Sequence, residues 1–307
     1  MASSEAMGQG GQEMELGVIA GQLIWGILIG VGYSLLAISF SLIFAAANTI
    51  NFANGEFAML GAYFCYTVLE RLHGNILLAA LVALLLCFVF GMVVERLCFR
   101  RIYKLDPVLI VIATIGISTI LKNLVLIVWG SFSKSFPTLT VLQAIHLGSL
   151  VIIPQNIILL AVGLVVMAVF HLFMTKTRLG TAMRATAQNI KAASLVGINT
   201  RRTIGLTWAF GSLIAGVGGI LIAFVYNLSI EMGSLLGIKG FASAVIGGFG
   251  NIVGAMFGGL AMGSTETLGA MIISFYYKDL IAFVVLIIIL LLKPTGLFVR
   301  RGAFRRV

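Results

Sequence analysis

The chain has 307 residues, 60% of them hydrophobic and only 10% charged, with a mean hydropathy of +1.13. Soluble domains carry about 25% charged residues, so a soluble enzyme or nucleic-acid-binding module is excluded and an integral membrane protein is indicated. The net charge of +10 is explained by position, because fifteen of the twenty Lys and Arg residues fall in 96–104, 176–202 and 293–306; such clustering is the positive-inside pattern and assigns these segments to the cytoplasm.

A bilayer core accepts about 20 apolar residues of helix, so the length allows about eight to ten membrane segments. The expected fold is a single all-α polytopic domain over 16–307, some of its helices broken or half-spanning. Residues 1–15 carry Glu5, Glu13 and Glu15 without a basic residue. They lack the n-region of a cleaved signal peptide and are expected to be a flexible polar tail.

From Leu16 to Ala47 the chain is apolar for long enough to form one tilted helix or two short ones. The stretch 48–63, NTINFANGEFAMLGAY, then interrupts a membrane-deep run with three Asn, a Gly and a Glu. Asn54-Gly55 is a turn dipeptide, and backbone freed at membrane depth must be buried in protein or line a cavity. A discontinuous helix at a pathway is therefore expected here, with Asn51, Asn54, Gly55 and Glu56 on that pathway.

Spans follow at 76–94, 108–129 after Pro107, and 153–174, with an external, strand-like cover at 130–151. After the basic island, a span over 203–226 leads to the glycine-rich run 238–275. Gly250, Gly254 and Gly258 recur at four-residue spacing, as do Gly259 and Gly263. Small-xxx-small spacing brings helix backbones together, so this run predicts a tight hairpin. Tyr276, Tyr277, Lys278 and Asp279 form an interface belt before the last span. A faint echo relates 16–98 to 203–299, each reading span, broken glycine-containing element, span.

No nucleophile, metal or phosphate-binding constellation is present in the sequence, and Cys65, Cys87 and Cys98 have no paired spacing. They read as packing residues. No catalytic residue, metal site or cofactor is expected, and any energy for transport must come from a gradient or another subunit. Three carboxylates, Glu56, Glu231 and Glu266, stand in or beside membrane-depth sequence. A charge near the bilayer centre costs about 2.5–3.5 kcal/mol on insertion scales, so each needs a partner or water. Glu56 fits a cap of the broken helix or a pathway contact, Glu266 fits an interhelical hydrogen bond or pathway lining, and Glu231 fits an external position. Lys122 fits a side chain snorkelling outward.

The island 176–202 holds six Lys and Arg and no acidic residue. Gly180 is expected to end one helix, Thr181 to start a short one exposing Arg184 and Gln188, and Asn189 to cap a second that stops at Gly197. Ala185, Ala187, Ala192 and Ala193 permit close docking against another protein; a linker lying on anionic lipid heads is the alternative.

The stretches YSLLAISFSLIF, INFANGEFAMLGAY, TRLGTAMRATAQNIKAASLVGIN, GIKGFASAVIGGFGNIVGAMFGGLAMGSTE and KPTGLF, in this order and spacing, resemble the permease subunits of branched-chain amino acid ABC importers. The resemblance covers nearly all the chain from about residue 21. It implies an ABC importer permease fold in a bacterial or archaeal plasma membrane. The implied partners are a second, related permease subunit, two cytoplasmic ATP-binding subunits and an extracytoplasmic solute-binding protein. Residues 181–199 would match the segment seated in the ATPase, with Arg184, Ala185, Gln188, Asn189, Lys191, Ala193, Gly197 and Asn199 as coupling residues. Gly240, Phe241, Gly247, Gly248 and Glu266 would join the pathway. Two positions depart from the pattern: Asn54 stands where His is common, and Lys122 where Gln is common. A permease for urea, amides or other amino acids is the same-class alternative, and a self-sufficient channel or secondary transporter the different-class one.

Overall fold

The computed structural model describes residues 2–71, 75–102, 106–137, 145–147, 150–293 and 296–298; within these, side chains are described from Ile19 onward except at Ala20, Pro107, 145–147, 150–152 and Phe275. The basic tail predicted at 293–306 lies mostly outside these residues, as do Lys104 and His73.

Twelve α-helices are present among the described residues, and strands are confined to one short hairpin. α1 (Ala2–Ala47) is one uninterrupted helix, so the acidic stretch predicted as a loose tail continues its first turns. After a non-helical turn come α2 (Asn54–Arg71) and α3 (Ile76–Val94), which passes through a π-helical turn (Glu95–Phe99) into α4 (Arg100–Ile102). Next come α5 (Pro107–Trp129), β1 (Ile145–Leu147) and β2 (Leu150–Ile152), an antiparallel pair in register Ile145↔Ile152. This pair and residues 130–137, where Lys134 bridges Leu228, are the described parts of the predicted strand-like cover.

α6 (Pro154–Lys176), the short α7 (Arg178–Gln188) and α8 (Ile190–Leu195), and α9 (Thr200–Val225) follow; α10 (Met232–Gly247), α11 (Ile252–Ile272) and α12 (Lys278–Leu292) complete the chain. Pro107 and Pro154 each open a helix, where a missing N–H and a fixed φ cost nothing.

Among the described residues, five helices are long and apolar enough to cross a membrane: Gly21–Ala47, Ile76–Ile102, Val108–Trp129, Pro154–Lys176 and Thr200–Val225. α10 and α11 together make a sixth apolar unit bent by 120°. The larger number expected from length is reached only by also counting α2, α10, α11 and α12 singly, and these are the shorter or broken segments. The bend is built by Gly248 and Gly250 at φ 95° and 78°, a region open to glycine without a Cβ penalty.

α1 and α9 form the centre of the bundle, 89% and 78% buried across their apolar windows, whereas α3, α5 and α6 are 22–28% buried and form the periphery. Two faces follow from the connections. The C-terminal end of α1 (Ala45, Asn48) shares one cavity with Met183 and Arg184 of α7 and Gly250 of the bend, so α1 ends on the face that carries the basic island. α9 starts on that same face and runs the opposite way.

α2 and α10 are the half-length elements. The chain leaves α1 at Asn48, in the left-handed region at φ 52°, and turns back into the bundle. Asn54 at the start of α2 then accepts from Ser39 Oγ at 2.9 Å. Ser39 lies two turns inside the end of α1, about 12 Å at 1.5 Å per residue. α10 begins beside α2 and runs toward the basic face, where Phe249 meets Phe44 at 4.9 Å. The pairs α1–α2 and α9–α10 thus repeat one theme with opposite polarity, and the N-termini of the two half-helices meet inside the bundle. Such an arrangement gives physical content to the faint echo in the sequence.

The last three helices are tied by charge. Lys239 of α10 reaches Glu266 of α11 and Asp279 before the first turn of α12 is complete, each at 2.7 Å, with Lys239 and Glu266 side chains 8% and 3% exposed. Its ammonium also lies 5.5 Å from the Tyr33 ring centroid on α1. Removing one member of a buried pair strands the other charge and costs about 3–5 kcal/mol, whereas replacing both by apolar groups is often neutral. Lys239→Met is therefore expected to lower the thermal midpoint of the purified chain sharply, and Lys239→Met combined with Glu266→Leu to recover most of that loss. Equal stability of the single variant and the parent would show that the pair carries no structural role.

Candidate functional site

The re-entrant turn between α1 and α2 is organised by its own asparagines. Asn51 Oδ1 accepts from Ala53 N at 3.0 Å, and Asn54 N donates to Asn51 O at 3.2 Å. This side-chain turn substitutes for the helical bonds lost at the break. The interruption therefore covers residues 48–53, just before the predicted Asn54-Gly55 dipeptide, which instead opens α2.

Gly55 makes the meeting of the half-helices possible. A Cβ there would lie 2.5 Å from Gly237 Cα and closer still to the Gly233 carbonyl, while a Cβ at Gly233 would collide with the Glu56 carboxylate. Glu56 therefore occupies the first turn of α2 and packs over the first turn of α10, with two partially positive helix ends around one carboxylate. Only 1% of the residue is exposed. Its Oε1 accepts from Ser118 Oγ of α5 at 3.0 Å and from Ser234 Oγ of α10 at 3.4 Å. Glu56 Oε2, Asn51 Nδ2 and Asn54 Nδ2 are buried without a protein partner. Buried polar groups are nearly always paired, so three orphans around one turn leave hydrogen-bonding capacity that water could fill.

One turn further from the basic face, Lys122 of α5 bonds Glu231, the residue capping α10, at 2.6 Å. Lys122 thus has a specific partner, and Glu231, though exposed, is not idle. On the other side of the Glu56 site, toward the basic face, lies a cluster of aromatic rings. Phe241 lies 5.5 Å from Phe52, 6.0 Å from Phe40 and 5.4 Å from Phe249.

Of the predicted pathway residues, the structure gathers Asn51, Asn54, Gly55 and Glu56, with Phe241 in the adjoining aromatic layer. It does not bring the others there. Gly240 is a packing contact, where a Cβ would meet Leu36 of α1, and Gly247 packs backbone to backbone on Gly254. Gly248 belongs to the bend at the basic face, and Glu266 is held in the separate Lys239 pair.

The basic island folds nearly as its residues require. Thr177 caps α7 by accepting from Gly180 N at 3.0 Å, so α6 ends at Lys176 and the new helix begins at Arg178. Gly180 is inside that first turn, not a terminator; it is buried where a Cβ would meet Met174 backbone at 2.5 Å. Asn189 caps α8 by accepting from Ala192 N at 3.0 Å. α8 closes with Ile198 N on Ala193 O at 3.1 Å and Gly197 N on Ser194 O at 3.2 Å, with Gly197 at φ 85°. These two bonds are the Schellman pattern.

Met183 is 3% exposed and Ala193 4%, and they are the residues that seat the two helices on the bundle. Ala193 is therefore turned inward, away from the outer surface. Arg184, Gln188, Asn189, Lys191, Gly197 and Asn199 are exposed and Ala185 half-buried. Asn199 also caps α9, accepting from Arg202 N at 3.1 Å. The outermost side chains are apolar ones that sequence reasoning missed: Leu195 is 87% exposed and Val196 76%. Their signal was an apolar pair directly before the terminating glycine of a polar loop. Between this island and the ends of α1 and α10 lies an open cavity of about 1180 Å³ lined by Ser41, Phe44, Asn48, Arg184, Gln188 and Asn251 among others.

No group of three or more metal-ligating side chains occurs among the described residues. The geometry describes a polar centre between half-helices, an aromatic layer below it and an exposed helical knob on the basic face.

Comparison with known proteins agrees. Residues 22–290 match the family described as branched-chain amino acid transport system, permease component. The high-affinity branched-chain amino acid transport system permease protein BraD of Pseudomonas aeruginosa is 35% identical over 292 residues, covering 91% of this chain and 95% of its own. The corresponding protein LivH of Escherichia coli is 34% identical with the same coverage. A probable branched-chain amino acid transport permease LivH of Methanocaldococcus jannaschii is 28% identical, covering 91% of each chain. No solved structure is matched. The chain therefore belongs to the family of permease components of branched-chain amino acid transport systems.

Proposed function

We propose that this chain is the membrane-spanning half of an ATP-driven importer of branched-chain amino acids. It works with a second, related permease subunit, two ATP-binding subunits on the basic, cytoplasmic face and a solute-binding protein outside. Bacterial or archaeal plasma membrane is the setting. The observation that carries the reading is the α7–α8 knob, in a chain related along 91% of its length to BraD and LivH. A large exposed apolar pair on the same island as Arg184 and Lys191 has the composition of a protein-docking centre: apolar contacts supply affinity and cations set approach and register.

The mechanism follows from contacts. Met183 of α7 belongs to the same buried cluster as Leu42 of α1, and Phe44, two residues further along α1, meets Phe249 at the bend after α10. Movement of the knob by ATPase closure is thereby passed to the aromatic layer and to α10, whose N-terminus holds the Glu56 site. Switching which side that site faces is then a population shift driven by nucleotide. No covalent step on the solute is involved.

The test is purification of the intact chain from its own cells. An ATP-binding subunit is expected to accompany it, and Leu195→Asp with Val196→Asp is expected to lose that subunit while the chain stays in the membrane. Absence of any ATP-binding subunit from the parent, together with solute uptake by the chain alone in liposomes, would favour a self-sufficient transporter.

A further inference from the structure

α5 and α10 face each other across the Glu56 site as a ladder of two rungs. The inner rung is Ser118–Glu56–Ser234, with bonds of 3.0 and 3.4 Å. The outer rung is Lys122–Glu231 at 2.6 Å. Lys122 stands four residues after Ser118 on α5, and Glu231 three residues before Ser234 on α10, so both rungs share the same two helix faces. Exposure changes steeply between them: Glu56 is 1% exposed, whereas the Lys122 and Glu231 side chains are 31% and 68% exposed.

The outer rung has polar neighbours among the exposed Ile120 and Leu124. Thr119 and Asn123 flank Lys122 on the exposed side of α5, and a Cβ at Gly116, one turn earlier, would meet nothing within 4 Å. A charge is costly against hydrocarbon, so an ion pair on a membrane helix with hydroxyl and amide neighbours is expected to face protein or a water-filled path. The outer rung thus lies between that path and a buried carboxylate whose Oε2 has no partner.

The charges of the ladder are one cation and two carboxylates. A solute bearing only a carboxylate can take Lys122 but leaves Glu231 and Glu56 unmatched. An amine alone can take a carboxylate but strands Lys122. A solute carrying both charges on one carbon satisfies both halves of the broken pair. We infer that the Lys122–Glu231 ion pair is a latch that a zwitterionic amino acid exchanges on its way inward, its carboxylate taking Lys122 and its ammonium taking Glu231 and then Glu56. This inference rests on the importer reading and names the end of the solute that the permease itself reads. The solute side chain is left free of these contacts, so the latch selects the amino-acid backbone and not its substituent.

The test uses the permease assembled with its partner subunits in liposomes, loaded with ATP on the side of the basic face, and L-leucine as the probe. Lys122→Gln and Glu231→Gln are each expected to reduce uptake at low leucine by about tenfold or more, chiefly through a raised KM. Lys122→Arg, which keeps the cation, is expected to remain close to the parent. The exchange Lys122→Glu with Glu231→Lys restores an ion pair but reverses its direction relative to Glu56, so uptake is expected to stay low although the complex assembles. Full recovery by the exchange, or unchanged KM in both Gln variants, would reduce the pair to a structural tie and overturn the latch. If the parent complex itself shows no ATP-dependent leucine uptake, the importer reading fails first and the latch with it.

Discussion

Replacing residues 183–196 with a Gly/Ser linker of the same length is expected to reduce ATP-driven uptake to the level seen without ATP, while the chain remains inserted in the membrane. The segment contains most of α7, all of α8, the Asn189 cap and the exposed Leu195–Val196 pair. It also removes Met183, the side chain that seats α7 against the bundle. The linker has neither an apolar docking centre nor a rigid path from that centre to α1, and flexible Gly/Ser chain transmits no directed displacement. The five long membrane helices are untouched, so insertion and extraction should match the parent. Uptake in the assembled complex measures the effect, and retention of parental uptake would mean that force reaches the membrane helices by another route.

Gly55→Val is expected to prevent the half-helices from meeting, with loss of the folded chain or a fall in stability of several kcal/mol. Overpacking a core typically costs about 1–3 kcal/mol when side chains can adjust. Here the atoms in the way are the Gly237 Cα and Gly233 carbonyl, and backbone cannot rotate aside as a side chain can. α10 would have to separate from α2, opening the Glu56 site and its serine bonds together. Gly116→Ala on the exposed face of α5, where nothing lies within 4 Å, is the control. Removal of a glycine from a helix interior there should be neutral or stabilising by about 0.5–1 kcal/mol. Thermal unfolding of the detergent-purified variants reads both, and a Gly55→Val protein as stable as the parent would contradict the close crossing.

The sequence-level reading succeeded where the membrane imposes a rule on composition. The asparagine-rich interruption and the glycine spacing of the hairpin reflect constraints on backbone bonding and helix approach in lipid. Asn189 and Gly197 were legible because caps act over four or five residues.

What was missed has a common cause. In lipid the outside of a bundle is as apolar as the inside, so equal hydropathy did not distinguish buried α1 and α9 from peripheral α5. The same blindness hid Lys239, a lone lysine in a glycine-rich apolar run whose two carboxylate partners lie 27 and 40 residues away in sequence. Gly240 packs on Leu36 and Gly247 on Gly254, contacts that nearness to Glu56 in a motif does not reveal. Ala193 was given to the docking surface, though a six-residue helix must turn one face inward and Ala193 is on it. The departure of Lys122 from the usual residue gained its meaning only with Glu231 beside it.

The most direct test of the account is leucine uptake into liposomes containing the complete assembly, with ATP compared against a non-hydrolysable analogue. Uptake against a gradient that needs both hydrolysis and an intact α7–α8 knob is the predicted result. Equal uptake with the analogue, or by this chain without its ATP-binding subunits, would contradict the central claim that the chain moves its solute only when driven from the basic face.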